Sequence, residues 1–255
     1  MVGDNTGLNC LIMNTKSIIN SKNELTITLY HGTSTLFLDS IIKHGLGGFN
    51  PVIEWKLIEL SQDVLKLSET HLKGTKLFEQ SSYSFRQMTQ QSNSGSFNWQ
   101  HGNVYFSPSL FTAAQYAIDK EYGSELLSYI IRFLKELIAF RKSVTVDLYQ
   151  KYSRIFNLIE AKPSPLLIQA TNISIKSLRD EHGNDPDKHL ELIEEMMAEP
   201  SGLNHPILQQ CNFRLTSAIP KSKLDFRLIN VQKWSEFRPA YNLYPIIAES
   251  IPGHH

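Results

Sequence analysis

Apolar and polar positions alternate along Leu25-Thr26-Ile27-Thr28-Leu29-Tyr30, a short β-branched run that reads as a strand. The period then changes. Leu36, Phe37, Ser40 and Ile41 fall near one face at helical spacing, and Gly45 is placed to stop that helix. His31 and Gly32 therefore sit at a strand end, with a helix start close by. Residues 54–72 carry Trp55, Ile58, Leu65 and Leu72 among polar positions and predict an amphipathic helix. Residues 80–96 are rich in Ser, Gln, Asn and Thr with few apolar anchors, which predicts either a surface loop or a mobile flap. Residues 102–107 predict a compact strand, after which Pro108-Ser109 opens a helix with Leu110, Ala113, Ala114 and Ala117 on one face.

The second half continues in short elements. A more apolar helix is predicted over 124–140, with Leu127, Ile130, Ile131, Leu134 and Ile138 as its stripe. Val144-Thr145-Val146 reads as the start of a strand or as a loop, and 166–170 as a strand. A short helix is expected over 188–198, stopped by Pro200 and Gly202, then strands over 212–217 and 224–231. Residues 232–255 read as an extended tail packed on the surface. Near the N-terminus, residues 10–19 read as a first strand before the turn Ser21-Lys22-Asn23. Short strands mixed with segregated helices, without regular βαβ alternation, predict an α+β domain spanning residues 1–255.

Composition narrows the function classes. The chain has 255 residues, 41% hydrophobic, enough for a real core. Its 25 basic residues balance 25 acidic ones, which gives no steering toward nucleic acid or an anionic membrane. Cys10 and Cys211 make no disulfide framework, and no metal knuckle or His-x-x-x-His pair occurs. No metal is expected. No apolar run reaches about eighteen residues and no secretory leader is visible, so a soluble cytoplasmic protein is the expectation. Secretion through a signal in a polar C-terminal tail is the alternative. Phosphate-binding Walker and Gly-x-Gly-x-x-Gly turns do not occur.

The chemistry-bearing residues lie in two stretches. His31-Gly32-Thr33 is followed by a helix ending His44-Gly45-Leu46. Val104-Tyr105-Phe106-Ser107 is followed by a helix carrying Ala114-Gln115-Tyr116, with the two tyrosine positions eleven apart. In this order and spacing the chain resembles the ADP-ribosyltransferase superfamily, in its poly(ADP-ribose)-polymerase-like or diphtheria-toxin-like branch. The resemblance implies a split antiparallel sheet core with flanking helices and NAD as co-substrate. It implies that His31 and Thr33 meet the adenosine ribose, that the Gly32 main chain holds the nicotinamide carboxamide, and that Ser107 also belongs to the NAD site. Tyr105 and Tyr116 would sandwich the nicotinamide ring by stacking and cation–π attraction. The resemblance covers residues 25–46, 102–117 and, loosely, 165–225. Residues 50–100 match no part of it and read as a helical, Ser/Gln-rich insertion that would shape acceptor choice.

Two departures bear on catalysis. The family has a glutamate opening a late strand; counting back from 212–217 puts Gln209 or Gln210 there, and Gln210 is the choice, with Glu236 and Glu249 as fallbacks. A glutamine binds ribose hydroxyls but is no general base. The small hydroxyl residue expected three before the second tyrosine is Ala113 here, and Thr112 substitutes only if the helix rotates. The implied activity is mono-ADP-ribosyl transfer to a protein or other macromolecular acceptor, with His31, Tyr105 and Gln210 as catalytic residues. A degenerate NAD-binding pseudoenzyme is the alternative. An RNA 2′-phosphotransferase is a weaker one, because Asn103-Val104-Tyr105 stands where that family has His-x-His.

Overall fold

A computed structural model describes residues 17–94, 97–234 and 239–246. The architecture is α+β. In chain order the main elements are β1 (Leu29–Ser34), α1 (Leu38–His44), α2 (Pro51–Glu54), α3 (Leu57–His71), α4 (Lys76–Thr89), β2 (Asn93–Ser94) and β3 (Phe97–Asn98). Then come β4 (Tyr105–Phe106), α5 (Leu110–Asp119), α6 (Glu125–Arg141), α7 (Val146–Lys151), α8 (Ser153–Phe156) and β5 (Pro165–Ala170). β6 (Leu178–Arg179), α9 (Asp187–Met197), β7 (Phe213–Leu215), β8 (Leu224–Trp234) and β9 (Pro239–Pro245) complete the described chain.

Two antiparallel sheets carry the fold, in the orders β1-β5-β8-β9 and β4-β7-β6; β2 and β3 form a separate hairpin. One bridge ties the sheets together. Tyr30 and Ser107 exchange main-chain bonds of 2.8 and 2.9 Å. β5 is buried on both faces. Leu167 joins Ala113, Ala114, Ala117 and Ile229 in a small cluster under α5, whereas Leu166, Ile168 and Ala170 face the main core. That core extends into the packed helices α3, α4 and α6, where the Phe85 and Phe133 rings stack with centroids 4.7 Å apart.

Several expectations need correction. The first strand runs Leu29–Ser34, so His31 and Gly32 lie inside it rather than at its end. A 3-10 turn over Thr35–Phe37 separates it from the seven-residue α1. The stretch expected as a loop or flap is mostly α4: Thr75 caps it, and Phe78, Ser81, Phe85 and Met88 bury one face. Its polar composition masks that sparse stripe. The strand around Tyr105 is two residues long, and the tail expected to lie on the surface supplies β9, paired along β8. Residues 144–146 belong to a 3-10 turn and the start of α7. Gly45 does stop α1, at φ +78, where a Cβ would fall 2.5 Å from the Ile219 carbonyl oxygen. The expected strand over 10–19 lies almost wholly outside the described residues.

Candidate functional site

Where the two sheets meet, a cleft of about 510 Å³ opens between β1, β4, the start of α5 and the segment leading into α6. His31, Gly32, Thr33, Tyr105, Ser107 and Tyr116 all line it. They come from β1, β4, its C-terminal neighbour and α5, so the fold gathers residues more than seventy positions apart.

His31 is held by the strand that carries Tyr105. Its Nδ1 lies 2.8 Å from the Tyr105 carbonyl oxygen. A carbonyl only accepts, so Nδ1 carries the proton and Nε2 of the neutral ring is left as an acceptor. Burial pushes the imidazole below its usual range and outweighs the opposing pull of the Tyr105 bond. The Phe106 ring stands edge-on to it at 6.1 Å.

Gly32 serves the site twice. A Cβ there would fall 1.9 Å from the Ala113 carbonyl oxygen, so only glycine lets α5 lie against β1. Its peptide groups matter as well. Tyr30 turns its N–H and C=O toward Ser107, off the β5 ladder, while Thr35 bonds to Ser164 on the β5 side. Strand alternation aims the N–H and C=O of Gly32 to the same edge as those of Tyr30, past the end of the Ser107 pairing and toward the cleft. A donor and an acceptor side by side match a carboxamide.

Tyr105 stands on β4 opposite Arg214, and the Asn103 and Asn98 side chains lie near its hydroxyl. Burial is the main cause that raises its phenol above the usual range. Tyr116 leaves 37% of its surface open, yet its hydroxyl lies near the Glu125 main chain, and burial lifts that phenol strongly. The Thr33 hydroxyl donates to the Gly123 carbonyl at 3.2 Å, and the Ser107 hydroxyl accepts from the Ser109 N–H at 3.1 Å. Both hydroxyls thus already hold one partner.

The structure turns Gln210 elsewhere. It closes the 3-10 turn Pro206–Gln210, whose buried anchor is Leu208, and it is exposed and outside the cleft lining. Glu236 and Glu249 lie outside the described residues. At the head of β7 stands Asn212, which does line the cleft, as does Glu181 from the turn after β6. The Asn212 side-chain amide donates to Glu181 Oε1 at 2.6 Å. Asn212 was legible as the residue that opens the strand; Glu181 carried no local signal, because the sheet pairing alone brings it there.

Thr112, weighed from the sequence as a substitute for Ala113, lines the cleft, and His101 and Glu125 escaped the sequence reading. Thr112 lies one helical turn before Tyr116, on the same face, and its Oγ1 is buried with no hydrogen-bond partner. The His101 Nε2 is likewise buried and unpaired, and burial lowers that imidazole to about 4. Glu125 also lines the cleft, neutralised by Lys120 at 2.7 Å. Unpaired buried polar atoms facing a cavity are ready partners for a ligand.

Among the described residues no group of three or more His, Cys, Asp or Glu side chains could hold a metal ion. Among them, too, no helix is long and apolar enough to cross a membrane. No protein-family model, no curated protein and no solved structure matches the chain.

Proposed function

We propose that this chain is an NAD-dependent mono-ADP-ribosyltransferase that cleaves the nicotinamide glycosidic bond and passes ADP-ribose to a macromolecular acceptor. One observation carries the reading: the His31 imidazole, the outward-facing peptide edge of Gly32 and the Tyr105 and Tyr116 rings line a single cleft. The pyridinium ring of bound NAD would lie between the two tyrosines, attracted by stacking and by their negative faces. Its carboxamide would exchange bonds with Gly32, and the unpaired Thr112 hydroxyl is within the same lining to take the third. The bare Nε2 of His31 would accept from a ribose hydroxyl.

Bond cleavage leaves positive charge on the ribose. A site lined by aromatic faces and carboxylates favours that charge more than the neutral ground state of the ring carbon. The test uses the full chain and NAD: calorimetry for binding, chromatography for free nicotinamide. Binding with catalysed nicotinamide release supports the proposal, and the absence of both removes it. Asn212 at the head of β7, in place of a carboxylate, favours a second reading, an NAD-binding protein without turnover. Binding without release would select it.

A further inference from the structure

We propose that Glu181 is the proton acceptor of the cleft, supplied by the turn after β6, with Asn212 at the head of β7 as its positioning residue. The assignment rests on the reading of the cleft as an NAD site.

Two carboxylates line the cleft, and their surroundings differ. Glu125 is neutralised by Lys120 at 2.7 Å. Glu181 has no ion-pair partner among the described residues; Oε1 takes the neutral Asn212 amide at 2.6 Å, and Oε2 is left to accept. An unneutralised carboxylate oriented by an amide is equipped to take a proton. Its charge is felt by the Tyr105 phenol, against that of Arg214.

The turn that carries it is braced on both sides. Asp180 accepts from the His182 N–H at 2.9 Å and the Asn184 N–H at 2.8 Å. The Asn98 amide donates to the Glu181 carbonyl at 3.3 Å, and Arg214 packs so close to Gly183 that a Cβ there would meet Nη2 at 2.8 Å. Asn212 and Arg214 belong to one short segment, so the segment beside Tyr105 fixes both the turn and the carboxylate. The sheet thus holds an amide where a strand-borne acid would stand, and the acid reaches the same cleft from a neighbouring loop.

The reaction balances with these groups. The nucleophile, water or an acceptor hydroxyl, forms an oxygen bond to the ribose anomeric carbon. The bond from that carbon to the pyridinium nitrogen breaks, and its electron pair neutralises the departing nicotinamide. The proton of the nucleophile passes to Glu181. The residue is catalytic because it touches the nucleophile; Asn212 acts only through it.

The experiment measures NAD affinity and nicotinamide release in the full chain carrying Glu181→Gln, Glu181→Ala or Asn212→Ala. For Glu181→Gln the turnover number should fall roughly 100-fold or more with NAD affinity kept within about threefold. Added formate should restore part of the rate of Glu181→Ala, which a purely structural role would not allow. Asn212→Ala should lower turnover about tenfold with affinity retained. A Glu181→Gln rate within about threefold of the wild-type rate overturns the assignment, and so does a loss of affinity as large as the loss of rate. Wild-type protein that binds NAD without releasing nicotinamide overturns the enzymatic reading itself, and this assignment with it.

Discussion

The imidazole of His31 donates from Nδ1 to the main-chain carbonyl of Tyr105 over 2.8 Å, so the two residues that face the cleft from different sheets are fixed to one another. The bond sets the tautomer, and burial sets the charge. Because burial holds the imidazole below its usual range, the ring stays neutral through the physiological range and protonates only in more acidic solution. Histidine resonances followed by NMR across pH should show the His31 midpoint below the ordinary value of about 6.5. His31→Ala should weaken NAD about tenfold, the cost of one lost hydrogen bond, as read by calorimetry on folded protein.

Gly32 tests the packing that builds the cleft. A methyl group at this position meets the Ala113 carbonyl oxygen at 1.9 Å, and Ala113 cannot yield without moving α5 off β1. Gly32→Ala should destabilise the fold by about 2–3 kcal/mol in urea unfolding. A change below about 0.5 kcal/mol would show that α5 is not seated there.

The two tyrosines separate ring from hydroxyl. The Tyr105 hydroxyl lies near Asn103 and Asn98 at the cleft wall, leaving the ring face as the feature available to a ligand. Tyr105→Phe should keep NAD affinity within about threefold, whereas Tyr105→Ala should lose about tenfold or more. The same pair of substitutions at Tyr116 should behave alike, since its ring, too, lines the cleft. Equal losses for Phe and Ala would assign the hydroxyl rather than the ring.

His101 makes stability depend on pH. Its native value of about 4 lies below that of an unfolded histidine, so the unfolded chain binds the proton more readily. The contribution is complete above about pH 6.5 and is lost progressively as the pH falls toward about 4, by about 3 kcal/mol at most. Urea unfolding between those limits should show the loss, and His101→Gln should flatten it.

How much of this was legible follows from the kind of signal each residue leaves. Helices α3 and α6 announced themselves through apolar spacing, α9 through its stop at Pro200 and Gly202, and β5 through its short apolar run. Helix α4 did not, because Phe78, Phe85 and Met88 are spread among serines and glutamines that suggest a loop. His31, Tyr105 and Tyr116 were identified by motif and spacing, and they share a cleft because β1, β4 and α5 meet. Gln210 lies outside the cleft because a 3-10 turn separates it from β7, and such turns leave little periodic trace. Glu181 was invisible for a deeper reason. Its place beside Asn212 depends on β6 pairing with β7 across more than thirty residues of intervening chain, which no local pattern encodes.

The exchange between Tyr30 and Ser107 joins the sheets through two peptide bonds and no side chain. A seam made of backbone is indifferent to most substitutions at either residue, so rim residues are free to diversify while the floor keeps its dimensions. Proline alone would weaken it at 107, by deleting the N–H that reaches Tyr30, and would leave the Tyr30 N–H and the His31–Tyr105 bond to hold the two walls.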